Sequence, residues 1–345
     1  MYKSFLSKYY INIIIHLFCA VIFYTLFSES SNSLFLFLLL NSILLLNINL
    51  GNVNKFLLNI NLLNHFIFVI SFFILYKYTM NSLPLYSIQI FIYTFIFFIL
   101  KLSKYSKSIN TWTYTHIFLV NTNFFDVTIN IKIIVFCVNF IFLQLVFLIL
   151  NFILKGEYKK NIDDDFILNY KTLISITWFN IKSINTQLAL RGAITATFLF
   201  IAGVFLSNDH IRPTWTIIIA IGCLLSDDCV QCDRLIKNIS VATILSLMAS
   251  ILLINLFFIN KNMQLILSLI SLVFSFYYLY LFNEQNKNKY LIINNSLIII
   301  CVVLFSKVAV LGFYEVFNLR LMSNILGIVT SITVLEIWKF IKKIP

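Results

Sequence analysis

Apolar runs long enough to cross a lipid bilayer recur along the whole chain. About twelve such runs occur in 345 residues, of which 61% are hydrophobic and only 11% are charged. Soluble domains are about 25% charged, and a chain with so few charges cannot cover a globule of this size with polar groups. At about 20 residues for each spanning helix, twelve spans leave no room for a large soluble domain. The sequence therefore predicts an all-α membrane protein.

The apolar runs form two sets of six around one charged segment. The first set lies near residues 9–27, 33–50, 60–81, 84–101, 111–126 and 131–154, and the second near residues 186–206, 213–226, 236–259, 263–282, 291–313 and 320–340. The intervening segment is rich in lysine and holds three consecutive aspartates, and we interpret it as a cytoplasmic linker. We therefore divide the chain into a first six-helix unit at 1–154, a linker at 155–185 and a second six-helix unit at 186–345. The second, fifth and eighth runs are short or interrupted, so the span count depends on them.

The basic residues indicate how the spans are oriented. With the N-terminus inside, 19 Lys and Arg residues lie on the inner side and 5 on the outer side, as the positive-inside rule requires. This predicts a multi-pass protein of a bacterial inner membrane with both termini in the cytoplasm. The formal net charge of +12 follows from the same pattern and is expected without any anionic partner. We predict membrane lipid, and no nucleic acid, among the partners.

The two halves share features that indicate an internal repeat. The basic residue Lys55 opens the third span after a polar turn, and Arg234 does the same before the ninth. Lys132 opens the sixth span as Arg320 opens the twelfth. Because each half holds an even number of spans, the halves are predicted to be parallel repeats, and a pathway is expected between them.

Small residues spaced four apart mark helix faces in the second half. Such faces let neighbouring helices approach closely in a membrane, so we expect tight packing along them. The three sets are Gly192 and Ala196; Ala242, Ser246 and Ser250; and Ser323, Gly327 and Ser331.

Four segments of the second half resemble a known family when they are taken in order. They are residues 188–193 (LALRGA), 212–216 (RPTWT), 233–236 (DRLI) and 319–327 (LRLMSNILG). Together they resemble the transmembrane module of the fusaric acid resistance (FUSC) family, which includes aromatic acid exporters and is distantly similar to plant aluminium-activated malate channels. The resemblance implies a six-helix module, used twice, that moves organic and typically aromatic carboxylates out of the cytoplasm.

Basic residues in or beside the spans are the candidate pathway residues. Ionisable groups in lipid normally face a cavity or a partner, and an arginine can hold a carboxylate with two hydrogen bonds. For Arg191 and Lys307 snorkelling to the membrane surface is an equal alternative, and Trp215 reads first as an interfacial anchor. We predict basic entrances on both faces and expect neutralisation of Arg234 or Arg320 to abolish efflux. The predicted substrate pathway consists of Arg191, Arg234, Arg320, Lys307, Trp215, Lys55 and Lys132.

Export against a gradient needs coupling, and a carboxylate or histidine in the path is the simplest proton carrier. The candidates are Glu336, Glu315, Asp209 and His210. For each of them an ion-pair or interfacial role is the alternative. The motif Cys229-x-x-Cys232 supplies two metal ligands, and no second pair or nearby histidine completes a site. We interpret this motif as a polar turn rather than a metal or redox site, and we predict no metal and no cofactor.

The sequence contains no nucleotide-binding, zinc-protease or serine-hydrolase motif, so we do not predict an enzyme. The interpretation that we favour is an efflux permease, driven by an ion gradient, that exports small organic carboxylate anions. A second copy of the chain or an accessory efflux subunit is a candidate partner. A passive anion channel of the same fold and a non-transporting scaffold of an envelope complex are the alternatives.

Overall fold

The computed structural model describes most of the second half and part of the first. It covers residues 55–102, 184–206, 213–224, 229–257, 287–309 and 313–343, together with short stretches between 129 and 145 and between 266 and 281. These residues are almost entirely helical and contain no strand. The predicted all-α class is therefore confirmed for the described part of the chain.

Seven helices have complete bounds among the described residues. They are α1 (Lys55–Thr79), α2 (Leu83–Leu102), α3 (Ile184–Leu206), α4 (Pro213–Cys223), α5 (Cys229–Phe257), α6 (Asn288–Ala309) and α7 (Phe313–Lys343).

Four segments of these helices are long and apolar enough to cross a membrane. They are Leu83–Leu100 in α2, Thr186–Phe205 in α3, Cys229–Leu253 in α5 and Leu321–Ile341 in α7. Many of their large apolar side chains are exposed, such as Phe198 on α3, Met248 on α5 and Val329 on α7. Apolar side chains on the outside of a helical bundle fit a lipid environment, where the solvent is itself apolar.

The start of α4 agrees with the predicted span, whereas the start of α5 does not. Helix α4 begins at Pro213, and proline suits the first helical position because that N–H has no intrahelical partner. Helix α5 begins at Cys229, several residues before the predicted run, and two aspartates precede it in the sequence. Aspartate is favoured just before a helix. The interpretation of Cys229-x-x-Cys232 as a polar turn was wrong, since both cysteines lie in the first turn of α5.

Helices α1 and α2 form an antiparallel hairpin with an aromatic interface. The Gln89 side chain on α2 donates from Nε2 to the Phe72 carbonyl on α1 at 2.7 Å and accepts a hydrogen bond from the Thr79 hydroxyl. The Tyr93 hydroxyl donates to Ser71 Oγ at 2.8 Å, and its ring packs edge-on against Phe72. Polar groups are thus paired across the two helices, as an apolar solvent would require.

Helix α2 also packs along α3, which joins the two halves of the chain. Gly192 on α3 lies so close to the Phe98 ring that a Cβ there would overlap it, and Tyr86 meets Phe200 edge-on at 4.8 Å between ring centroids. The order of these two contacts shows that α2 and α3 are antiparallel, because the later residue on α3 meets the earlier residue on α2. The small residue at 192 is what permits the approach, as the sequence predicts.

The second half is organised around α7, which runs parallel to α4 and antiparallel to α5. Gly327 packs against Ile219 of α4, and the Ser331 hydroxyl bonds to the Gly327 carbonyl of its own helix at 2.6 Å. On the α5 side, Asn324 Nδ2 donates to Thr243 Oγ1 at 3.1 Å. The members of the small-residue faces are buried, as close packing requires, and the Ala242 carbonyl accepts a hydrogen bond from Ser296 of α6 at 3.3 Å. The fully buried ones are Ala196, Ala242, Ser246, Ser250, Ser323 and Ser331.

The hydrogen bond between Asn324 and Thr243 is expected to stabilise the bundle modestly. Interhelical polar contacts in membrane proteins average about 0.6 kcal/mol and reach at most about 1.7 kcal/mol. A double-mutant cycle of Asn324→Ala and Thr243→Val, measured by unfolding in mixed micelles, should show coupling in that range. Pairing Asn324→Ala with Thr197→Val should show none, because the Thr197 hydroxyl bonds to the Ala193 carbonyl of its own helix. Equal coupling in both cycles would contradict the assignment.

Several predictions fall outside the described residues. They include the second and fifth apolar runs and the linker at 155–185 apart from its last two residues. The predicted total of twelve spans and the two parallel repeats stay predictions.

Candidate functional site

A buried arginine lies about two turns into α3, where it is surrounded by α4, α5 and α7. Arg191 is only 5% exposed. Its Nη2 donates to the Leu224 carbonyl at 2.9 Å, and its guanidinium carbon lies 5.4 Å from the centre of the Trp338 ring. Cys232 of α5 is fully buried at the same end of the bundle. We call Arg191, Leu224, Cys232 and Trp338 the Arg191 site.

The bond to Leu224 has a simple structural reason. Leu224 follows the last residue of α4, and the carbonyls at a helix C-terminus have no intrahelical donor and carry a partial negative charge. A positively charged donor from another helix satisfies such a carbonyl. Arg191 therefore closes the C-terminus of α4 and fixes the end of that helix against α3.

The surroundings of the guanidinium are apolar. Cys223, Cys232, Ile236 and Leu335 form one buried cluster from α4, α5 and α7 at this end of the bundle. Arginine stays charged in such surroundings because it does not lose its proton in proteins. A charge at this depth is costly in a membrane protein and generally marks a functional position.

Trp338 contributes a second donor to the site. Its Nε1 is buried and has no hydrogen-bond partner among the residues that the structure describes. Buried indole N–H groups normally find an acceptor. The ring that carries this N–H is the same one that the Arg191 guanidinium approaches, so a buried cation and a buried N–H donor lie next to each other.

A charged rim lies beside the Arg191 site. Lys339 on α7 forms ion pairs with Asp233 of α5 at 3.2 Å and with Glu336 at 2.7 Å. All three side chains are exposed or half-exposed, and pairs of this kind contribute little to stability. Glu336, a predicted proton carrier, is thus exposed and paired with Lys339 in this structure.

Arg191, Arg234 and Glu336 lie at the same end of the bundle, but their environments differ. Arg234 is exposed on α5, two residues beyond the buried Cys232. Because successive helical residues point in different directions, Arg234 does not join the buried site. The structure brings Arg191 together with Trp338 and leaves Arg234 at the rim.

The remaining predicted site residues either lie in described helices or fall outside the described part of the chain. Five of them lie in described helices: Lys55 in α1, Trp215 in α4, Lys307 in α6, and Glu315 and Arg320 in α7. Lys132, Asp209 and His210 lie outside the described residues.

Sequence reasoning missed Trp338 and the Leu224 carbonyl. Trp338 stands in a run of apolar and basic residues with no motif around it, and a backbone carbonyl leaves no signal in a sequence. Within the described ranges, no group of three or more His, Cys, Asp and Glu residues is placed to hold a metal ion.

The fold and this site define a membrane-embedded helical bundle with a buried cationic site near one end. No family model, no curated protein and no solved structure matches the chain.

Proposed function

We propose that the protein is a permease that exports organic carboxylate anions across a bacterial inner membrane, and that Arg191 binds the carboxylate near the cytoplasmic end of the pathway. The proposal includes the twelve spans, the two parallel repeats with a pathway between them, and coupling to an ion gradient. It rests chiefly on one observation, the buried guanidinium of Arg191 beside the buried N–H of Trp338.

The chemistry of these two groups suits a carboxylate. A guanidinium presents five N–H donors in a planar fork, so it can hold the Leu224 carbonyl and a carboxylate at once. The indole N–H can donate to the same anion. Charge-assisted hydrogen bonds are about twice as strong as neutral ones, and low-dielectric surroundings strengthen them further.

The Trp338 ring also supports an aromatic substrate. An aromatic face beside a guanidinium offers a flat apolar surface next to the carboxylate-binding group, and offset stacking of aromatic rings is worth about 0.5–1.5 kcal/mol. The proposal therefore names aromatic carboxylates as preferred substrates. The exposed Arg234 at the rim adds positive charge, which raises the local concentration of anions at the entrance.

Purified full-length protein in liposomes tests the proposal directly. We expect efflux of benzoate faster than efflux of acetate, and faster than from protein-free liposomes, with the rate rising when a pH gradient is imposed. Choline serves as the cationic control and should not move.

Two other outcomes would replace the proposal. Large benzoate currents in planar bilayers without dependence on a pH gradient would indicate a passive anion channel. Failure to move any of a panel of aromatic, aliphatic and polycarboxylate anions would reject transport and favour the scaffold alternative.

A further inference from the structure

Three cysteines gather at the end of the bundle that holds Arg191. Cys223 lies at the end of α4, and Cys229 and Cys232 lie in the first turn of α5. Cys223 and Cys232 are fully buried, whereas Cys229 is partly exposed and packs against the same cluster. The flanking residues Val230 and Gln231 are exposed. The Cys229 thiol is therefore accessible to solutes, whereas the Cys232 thiol one helical turn away is buried.

The spacing of Cys229 and Cys232 permits a disulfide. Side chains three residues apart on a helix are neighbours, with Cβ atoms about 5–6 Å apart, and a disulfide needs about 3.5–4.5 Å. The first turn can make this adjustment, since its N–H groups are not held by intrahelical hydrogen bonds. Two cysteines with this spacing in the middle of a helix would be kept too far apart for a disulfide, because the hydrogen-bonded backbone there cannot adjust.

Two positive features stand next to these sulfur atoms. The start of α5 presents the positive end of the helix dipole, and the buried Arg191 guanidinium lies at the same end of the bundle as Cys232. Thiol oxidation proceeds through the thiolate, which reacts as the nucleophile. Reactive cysteines of this kind typically stand beside a second cysteine that resolves the first oxidation product.

We propose that Cys229 and Cys232 form a dithiol that hydroperoxides oxidise to a disulfide in the first turn of α5. The Cys229 thiolate attacks one peroxide oxygen, so that an S–O bond forms, the O–O bond breaks, and the departing oxygen takes up a proton. The Cys232 thiolate then attacks the sulfur of the resulting sulfenic acid, the S–S bond forms, and the S–O bond breaks with release of water. The two thiols lose two electrons and two protons in total, and the hydroperoxide takes up these electrons and protons to become an alcohol, or water if it is hydrogen peroxide, and a further molecule of water. This inference is independent of the transport proposal.

The test uses the full-length protein in lipid nanodiscs, treated with hydrogen peroxide. Remaining thiols are alkylated, disulfides are then reduced and labelled with a second reagent, and the peptides are identified by mass spectrometry. We expect Cys229 and Cys232 to become linked and dithiothreitol to reverse the link. Cys137 is the internal control, because it is also partly exposed but lies outside the motif, and we expect Cys229 to react about tenfold faster.

Three serine variants separate the roles of the cysteines. In Cys232→Ser the oxidation of Cys229 should stop at the sulfenic acid, which dimedone traps. In Cys229→Ser the Cys232 thiol should stay reduced, and Cys223→Ser should leave the yield of disulfide unchanged. Oxidation of Cys229 no faster than that of Cys137, or a disulfide between Cys223 and Cys232, would overturn the proposal.

Discussion

Arg191→Gln is expected to reduce benzoate efflux by at least about tenfold. Removing one partner of a buried charged hydrogen bond costs about 2–5 kcal/mol of binding, and about 1.4 kcal/mol corresponds to a factor of ten. The loss should appear in initial efflux rates measured below saturation. Arg191→Lys should recover part of the activity, because it keeps the charge but lacks the planar fork.

Exposed basic residues provide the matched controls for this prediction. Lys237→Gln removes one positive charge from the exposed side of α5 and should leave efflux nearly unchanged. Arg234→Gln should lower the rate only modestly and mainly at low salt, since a rim charge acts through encounter with the substrate. This differs from the abolition that the sequence alone predicts, and the reason is the exposure of Arg234. Equal losses in Arg191→Gln and Lys237→Gln would contradict the role of Arg191.

A structural effect of the Arg191 substitution has to be separated from a transport effect. Loss of the donor leaves the Leu224 carbonyl buried without its partner, which costs about 1–3 kcal/mol of stability. Trp338→Phe avoids this problem, because it leaves the bond between Arg191 and Leu224 in place, keeps an aromatic ring and removes the buried N–H together with the second ring of the indole. We expect Trp338→Phe to fold normally and to raise the substrate concentration for half-maximal efflux. An unchanged half-maximal concentration would remove Trp338 from the site.

Gly327→Ala is expected to destabilise the second half strongly. A Cβ at this position would lie 2.8 Å from Ile219 Cβ and 2.9 Å from the Thr216 carbonyl oxygen. The nearest atoms include helix backbone, which cannot rotate away as a side chain can. Overpacking of this kind costs about 1–3 kcal/mol, and the larger Gly327→Leu should prevent α4 from packing against α7. The measurement is the melting temperature of the purified protein in detergent.

Two other glycines calibrate that experiment. A methyl group added at Gly222 would have no atom within 4 Å, so Gly222→Ala should be neutral or slightly stabilising, because alanine has the higher helix propensity. The melting temperature of Gly192→Ala should lie between those of Gly327→Ala and Gly222→Ala. The added methyl group would meet the Phe98 ring, and a side chain can shift more easily than backbone. A melting temperature for Gly327→Ala equal to that for Gly222→Ala would show that α4 and α7 do not pack as described.

The helices were predicted from sequence where the apolar runs end in clear signals. The predicted runs at 84–101 and 186–206 match α2 and α3 within a few residues. Helices α5 and α7 begin earlier than predicted, because their first turns carry polar and charged residues that do not resemble a membrane span. Hydrophobicity marks only the apolar part of a helix. The helix itself extends beyond that part for as many residues as can form backbone hydrogen bonds.

The candidate site shows the same division. The sequence indicates Arg191 and Arg234 equally as site residues, since both are arginines in or beside predicted spans. Only packing distinguishes them, because Gly192 lets α2 approach α3 while the Leu224 carbonyl and the Trp338 ring enclose the guanidinium on the other side.

The sequence by itself determined that the chain is a membrane-embedded helical protein, because lipid accepts only apolar segments whose backbone bonds are satisfied internally, and such segments are visible residue by residue. Which charge became buried was decided by tertiary structure. That outcome depends on contacts between residues far apart in the chain, including a backbone carbonyl that has no sequence signature.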